Sequence, residues 1–170
     1  LVGSEMCIRD SIGGPQFAHL LLGPLENLAV VEETVVREKA CDSINQLAGI
    51  MSDQQIQTFY LPLLHRLSSG EWFTSRTSAA LLFASVYEKI PLSMRADVHS
   101  MFVSLCTDET PMVRRAAARD MSALVKRMSP EVIINEMLPL YRRLSADDQD
   151  SVRLLTVQNL VAMAEVLSPA

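Results

Sequence analysis

Reactive side chains are few in this sequence, and their spacing suits little chemistry. Asp147-Asp148-Gln149-Asp150 puts three carboxylates in four residues. That resembles the opening of a calcium loop, but a calcium loop continues through a glycine to a closing glutamate, and neither follows in place. The three cysteines, Cys7, Cys41 and Cys106, are odd in number and far apart, and only His19, His65 and His99 accompany them. Without a CxxC pair, neither a zinc site nor a disulfide framework is expected. Reduced, buried thiols of a cytoplasmic or nuclear protein are the expectation instead. His65 reads as a half-exposed helix residue, and His19 and His99 have no evident partner. There is no GxSxG, no phosphate-cradling glycine loop and no HExxH. The sequence therefore predicts no enzyme, no cofactor and no metal; a helical enzyme domain would need a polar catalytic cluster, and none is visible.

Recognition is the chemistry that remains. Trp72 is the single tryptophan and stands in a polar stretch beside Gly70 and Glu71. It either packs at a helix start or stands out as an anchor for a partner's pocket, and the second reading is preferred. Phe73 divides evenly between packing and contact. Thr110-Pro111-Met112 combines a cap, a rigid helix start and an adaptable apolar side chain. Helix initiation accounts for Thr110 and Pro111, and the same rigid start would present Met112 and Arg115 outward. The acids Glu32, Glu33, Asp108, Glu109, Asp148 and Asp150 are expected at helix N-termini, where the helix dipole favours them by ~0.3–1 kcal/mol each.

The elements that must carry these residues emerge from a repeat. Arg37, Arg76, Arg114 and Arg153 follow one another at 39, 38 and 39 residues. The same register predicts other positions. Leu28, Leu67, Leu105 and Leu144 stand nine residues before the arginines. Ala40, Ala79, Ala117 and Thr156 stand three after; Ile44, Phe83, Met121 and Leu160 stand seven after. Offsets of three, seven and ten fall on one face of an α-helix, so each arginine opens the second helix of a pair. Arginines recurring at one register are expected to form a structural ladder, each reaching an acid of the neighbouring unit. Arg115 has no counterpart in the register and is the better candidate for contact.

Start signals agree. Ser52 with Gln55 forms a capping box, and Ser129-Pro130 a capped proline start. Pro24, Pro62 and Pro139 recur inside first helices, which predicts bends there; the third unit has Ser100 near that place and should be straighter. The units are 14–50, 51–90, 91–128 and 129–168, with 1–13 an unstructured or non-native leader. A helical pair of ~38 residues lies at the HEAT and armadillo period. The expected fold is all-α: a solenoid of about four antiparallel helix pairs in a right-handed superhelical stack, a piece of a longer solenoid. Composition suits it, with half of the residues apolar, few aromatics, and four of six glycines at or before Gly23. A net charge of −5 with scattered Lys and Arg argues against nucleic-acid binding. No apolar run reaches the ~18 residues of a membrane span.

Particular turn residues carry a family resemblance. Glu71-Trp72-Phe73-Thr74-Ser75-Arg76-Thr77-Ser78 and Asp108-Glu109-Thr110-Pro111-Met112-Val113-Arg114-Arg115-Ala116-Ala117-Ala118 are similar to turns of the protein phosphatase 2A scaffold (A) subunit family. So are Pro24-Leu25-Glu26-Asn27-Leu28 with Val31 to Arg37, and Asp147 to Leu155. The resemblance covers roughly residues 18–166. Glu109 departs from it, standing where the family usually has Asp. The resemblance implies a non-catalytic horseshoe whose intra-repeat turns form a ridge. It implies that Glu32, Glu33, Trp72, Phe73, Asp108, Glu109, Thr110, Pro111, Met112, Arg115, Asp148 and Asp150 contact a regulatory (B-type) subunit. It implies that the catalytic subunit is held by repeats outside this stretch. An importin-like or other HEAT adaptor binding unrelated proteins is the alternative.

Overall fold

The computed structural model describes residues 14–168, so the leader expected over 1–13 lies outside the described residues. Within them the chain is helical and without strands, an all-α solenoid of helix pairs. The first pair is a 3-10 segment, Pro15–Leu21, running into α1 (Leu22–Leu28), then α2 (Thr34–Ile50). In the second pair, the short turns Asp53–Gln55 and Ile56–Tyr60 lead into α3 (Leu61–Ser68), followed by α4 (Phe73–Ala80). The third pair is α5 (Leu92–Cys106) and α6 (Pro111–Val125). The fourth runs through Pro130–Val132 and Ile133–Met137 into α7 (Leu138–Ser145), then α8 (Asp150–Leu167).

Local sequence explains the form of the first helices. The capping box is made: the Gln55 N–H donates to Ser52 Oγ at 3.3 Å and the Ser52 N–H to Gln55 Oε1 at 3.0 Å. Pro62 and Pro139 lack an N–H, and their rings crowd the carbonyls of Thr58 and Asn135 four residues back. The chain answers by widening to π-helical turns over Ile56–Tyr60 and Ile133–Met137, with the Leu61 and Leu138 N–H groups donating five residues back. Pro24 instead follows a 3-10 stretch. The third pair has no such proline, and α5 runs unbroken.

First helices stack on first helices and second on second, giving two layers along the solenoid. Between them Ile44, Phe83 and Met121, all at one register, are buried, as are Leu67, Leu105 and Leu144. Leu28, at the register of those leucines, is half exposed because Ala29 takes the buried place in that turn. Val157 and Leu160 on α8 are exposed although their register mates Cys41 and Ile44 are buried. In the first three pairs that face lies against the following pair.

The second helix of pair two is broken, which no proline explains. It stops at Ala80 and resumes as Phe83–Val86 and a 3-10 turn, Tyr87–Lys89. Neighbouring side chains take the carbonyls at the break. Asn45 Nδ2 donates to the Leu81 carbonyl at 3.0 Å, and the Tyr60 hydroxyl to that of Leu82 at 3.1 Å. Tyr60 is fully buried, and Ser85 Oγ also donates to the Leu82 carbonyl at 3.0 Å. Carbonyls held from outside are withdrawn from the helix ladder.

Candidate protein-interaction site

Each turn between the helices of a pair ends in carbonyls and amides that the helices leave unpaired. The recurring arginines collect them. Arg37 Nη1 donates to the Val31 and Glu32 carbonyls at 2.8 and 3.0 Å; Arg76 Nη1 to those of Gly70 and Glu71 at 2.9 and 2.7 Å. Arg114 Nη1 reaches the Asp108 and Glu109 carbonyls, and Arg153 Nη1 that of Asp147. Every arginine therefore ties down its own turn first.

The ladder between pairs has two rungs. Arg76 Nε and Nη2 donate to the Asp108 carboxylate at 2.6 and 3.1 Å. Arg114 does the same to Asp147 at 2.6 and 3.0 Å and adds Asp148 at 2.7 Å. These forks are largely buried, the geometry in which an arginine–carboxylate bond is strong. The Arg114 fork, helped by the Gln149 N–H, holds the Asp147 carboxyl well below the usual carboxylate range, at about 2. Arg37 finds no acid in the next pair, because Gly70 stands at the rung position. A Cβ on Gly70 would lie 2.4 Å from Ser75 Oγ, and that hydroxyl is engaged with the Leu67 carbonyl. At the turns, neutral bonds join pairs one and two instead, Thr74 Oγ1 donating to the Val30 carbonyl at 3.0 Å and Ser78 Oγ to that of Ala29 at 2.6 Å, while a more exposed fork from Arg66 to the Glu26 carboxylate, 2.8 and 2.7 Å, joins their first helices. Among the described residues, the acid that Arg153 pairs with is Asp150 of its own helix.

Three sequence expectations change here. Asp108 is a ladder acid whose carboxylate is consumed by Arg76 and the Thr110 N–H, so it is not a free contact residue. Thr110 precedes α6 but makes no side-chain cap; its hydroxyl lies 3.3 Å from Arg76 Nη2 instead. Ser129 likewise stands before its helix without a side-chain cap. Asp147, absent from the expected contact residues, carries the second rung. Its signal was there, since Asp108 and Asp147 occupy the same register.

What the braced turns present outward is apolar at the centre. Trp72 is 72% exposed, Met112 52% and Phe73 36%. Pro111 starts α6 and fixes the backbone from which Met112 projects. Val35 and Leu154, not expected from sequence, are exposed on the neighbouring second helices. Around them Glu32, Glu33 and Glu109 are exposed, and among the described residues no ion pair engages their carboxylates. Asp148 and Asp150 are exposed beside Arg114 and Arg153. Arg115 is exposed and makes no ion pair among the described residues, whereas Arg114 beside it is fully engaged.

The histidines are placed differently than expected. His99 is buried, its Nε2 2.8 Å from the Tyr87 hydroxyl and its Nδ1 2.5 Å from the Glu136 carboxylate, linking pairs two, three and four. His19 stacks on Phe59. Among the described residues no group of three or more His, Cys, Asp or Glu side chains is placed to hold a metal ion. No described helix is long and apolar enough to cross a membrane. The ridge offers fixed apolar anchors within an acidic border, suited to binding.

No family model matches the chain. Curated relatives do. The A-type regulatory subunit of protein phosphatase PP2A from Schizosaccharomyces pombe is 47% identical over 159 residues, covering 93% of this chain and 27% of that protein. The human A-beta isoform of the 65 kDa regulatory subunit of serine/threonine-protein phosphatase 2A is 50% identical over 115 residues, 68% of this chain and 19% of its own. The protein phosphatase 2A scaffold subunit of Dictyostelium discoideum is 43% identical over 132 residues, 78% of this chain and 23% of its own. The chain thus spans about a quarter of the length of the curated relatives it matches. Among solved structures, that of Cex1p superposes with a TM-score of 0.63 at 13% identity, over 86% of this chain and 29% of that one. A designed armadillo repeat protein gives 0.55 at 20% identity, over 84% and 64%. These two likenesses bear on the fold alone.

Proposed function

The chain belongs, over the span it covers, to the family of A-type regulatory subunits of protein phosphatase 2A, and from that premise we propose that it is a length of the scaffold on which this phosphatase is assembled. The four helix pairs are repeat units of that scaffold, bounded near 14–50, 51–90, 91–128 and 129–168. The chain is not an enzyme: its relatives carry regulatory or scaffold names, and its fold is a repeat solenoid. Its turn ridge binds a regulatory (B-type) subunit directly, while the catalytic subunit is held by repeats elsewhere in the scaffold. The mechanism is geometric: the ridge fixes the regulatory subunit, which sets what the phosphatase can reach.

One observation carries this reading. Trp72 stands 72% exposed on a turn that Arg76 clamps at two of its own carbonyls and at Asp108 of the next pair. A large aromatic on a braced turn leaves only its own side-chain rotamers to be ordered when a partner's pocket closes on it. The acids around it favour a basic rim on that partner, and Arg115 an acid within it. Reducing surroundings, cytoplasmic or nuclear, are part of the proposal, supported by the free, buried thiols of Cys41 and Cys106, which burial pushes up and leaves inert. The test is calorimetric titration of the protein with a purified phosphatase 2A regulatory subunit, beside Trp72→Ala and Met112→Ala. Binding that these changes abolish supports the reading, and binding that they leave intact overturns it.

A further inference from the structure

Three hydroxyls in this chain are followed directly by proline: Thr110, Ser129 and Ser168. The fold treats them differently. Thr110 is half-buried, and its hydroxyl oxygen accepts from Arg76 Nη2 at 3.3 Å. Ser168 Oγ donates to the Ala164 carbonyl at 2.8 Å. Ser129 is exposed, and among the described residues its hydroxyl makes no hydrogen bond. At the same register Ser52 closes a capping box with Gln55. Three residues after Ser129 stands Val132, whose side chain has nothing to close one with. The Ser129 backbone is extended, with φ −73° and ψ 152°, and residues 126–129 form the turn after α6 rather than part of a helix. Lys126 and Arg127 in that turn are exposed, and pair with Glu165 at 2.9 Å and with Glu88 at 2.7 Å. Exposed pairs of this kind are weak and exchange partners easily.

We propose that Ser129 is a phosphorylation site for a proline-directed serine kinase, and that the phosphate takes Arg127 from Glu88. In the transfer, Ser129 Oγ attacks the γ-phosphorus of a nucleoside triphosphate and the bond to the bridging oxygen breaks. The nucleoside diphosphate leaves, and the hydroxyl proton passes to a carboxylate base of the kinase. An acceptor enters such a cleft extended and with its hydroxyl bare, and Ser129 has both properties in the folded protein. Pro130 holds the preceding residue extended and offers no N–H, so a cleft shaped for proline asks for no backbone bond there. Ser145 is the contrast. It follows Arg142 and Arg143, but it ends α7 in helical form, and its hydroxyl donates to the Arg142 carbonyl at 3.0 Å. A phosphate adds a charge of about −1.5 to −2, two residues from Arg127. Its charge-assisted bonds to a guanidinium can be bidentate, against the single exposed contact that Glu88 makes. Ser129 lies beyond the end of α6 opposite Met112, so the modified turn is off the ridge.

The test incubates the folded protein, at its full natural length, with magnesium ATP and a purified mitogen-activated, proline-directed kinase. Mass spectrometry of its peptides over time locates the phosphate. Ser129 takes up phosphate, and Ser129→Ala removes that phosphopeptide. Thr110, which must first part from Arg76, lags by about ten-fold or more, as a site that needs local opening does. Synthetic peptides covering 104–116 and 123–135 carry the same two motifs without the fold, and between them the lag shrinks. Ser129 left unlabelled in the folded protein overturns the assignment. A lag of Thr110 as large between the peptides as in the protein overturns the role of the free hydroxyl. Phosphorus NMR then follows the second ionisation of the phosphoserine, ordinarily near about pH 6. Arg127 beside the phosphate lowers it, and Arg127→Gln returns it upward. An ionisation that Arg127→Gln leaves unmoved overturns the transfer of Arg127 from Glu88.

Discussion

Arg76 of the second pair and Asp108 of the third share a two-pronged bond, 2.6 and 3.1 Å, while the same guanidinium holds the Gly70 and Glu71 carbonyls of its own turn. One side chain thus shapes the ridge and welds two repeats. Lysine cannot make this fork. Arg76→Lys is expected to cost about 1.5–3 kcal/mol, the range of a hydrogen bond to a charged group. Asp108→Ala leaves a largely buried cation without its carboxylate, held by the turn carbonyls alone, and costs about 3 kcal/mol. Urea unfolding followed by circular dichroism measures both. Equal stability of Arg76→Lys and the unaltered protein would show that the fork adds nothing to a single charge.

The second rung responds to acid. The folded-state carboxyl of Asp147 lies at about 2, held down by Arg114, below an unfolded value near 4. A depressed carboxyl stabilises fully above the unfolded value, and its contribution fades as pH falls through the folded one. The interface of pairs three and four should therefore weaken between about pH 4 and pH 2. Asp147→Asn should flatten that part of the stability curve relative to the unaltered protein. Parallel curves for the two across this window would contradict the assignment.

Gly70 marks where the ladder cannot continue. A Cβ there would meet Ser75 Oγ at 2.4 Å and Ser75 Cβ at 2.8 Å. Gly70→Asp, although it places an acid at the rung register opposite Arg37, is expected to destabilise by about 1–3 kcal/mol, as overpacking does. Gly70→Ala should cost a similar amount. If Gly70→Asp stabilises instead, Ser75 yields easily and the rung is absent for another reason.

Much of this was legible in the sequence, because the arginine register fixes which residues share a face. Ile44, Phe83 and Met121 were expected on one helix face and are buried together, and Pro62 and Pro139 mark the widened turns. Legibility failed where long-range side chains decide local structure. Near Leu81 in sequence only Ser85 takes part in the break; the other bonds come from Asn45 and Tyr60, 36 and 22 residues away from the carbonyls they take. Thr110 looked like a cap by local rules, but Arg76 from the previous pair takes its place beside the hydroxyl. The ladder acid lies one residue before Glu32, Glu71, Glu109 and Asp148, exposed acids that recur at one register and of which Asp148 adds a bond to Arg114. Periodicity reports faces, and it does not report which of two adjacent acids will take both prongs of a guanidinium.

The most direct test of the central claim is the affinity of the protein for a purified phosphatase 2A regulatory subunit, compared by calorimetry with Trp72→Ala/Met112→Ala at matched helicity. Both side chains are exposed, so their removal should leave folding unchanged. The ridge reading predicts a loss of at least ~2 kcal/mol, about 30-fold in Kd, as for interface hot spots. Equal affinity of the two proteins would contradict it and move the binding surface away from these turns.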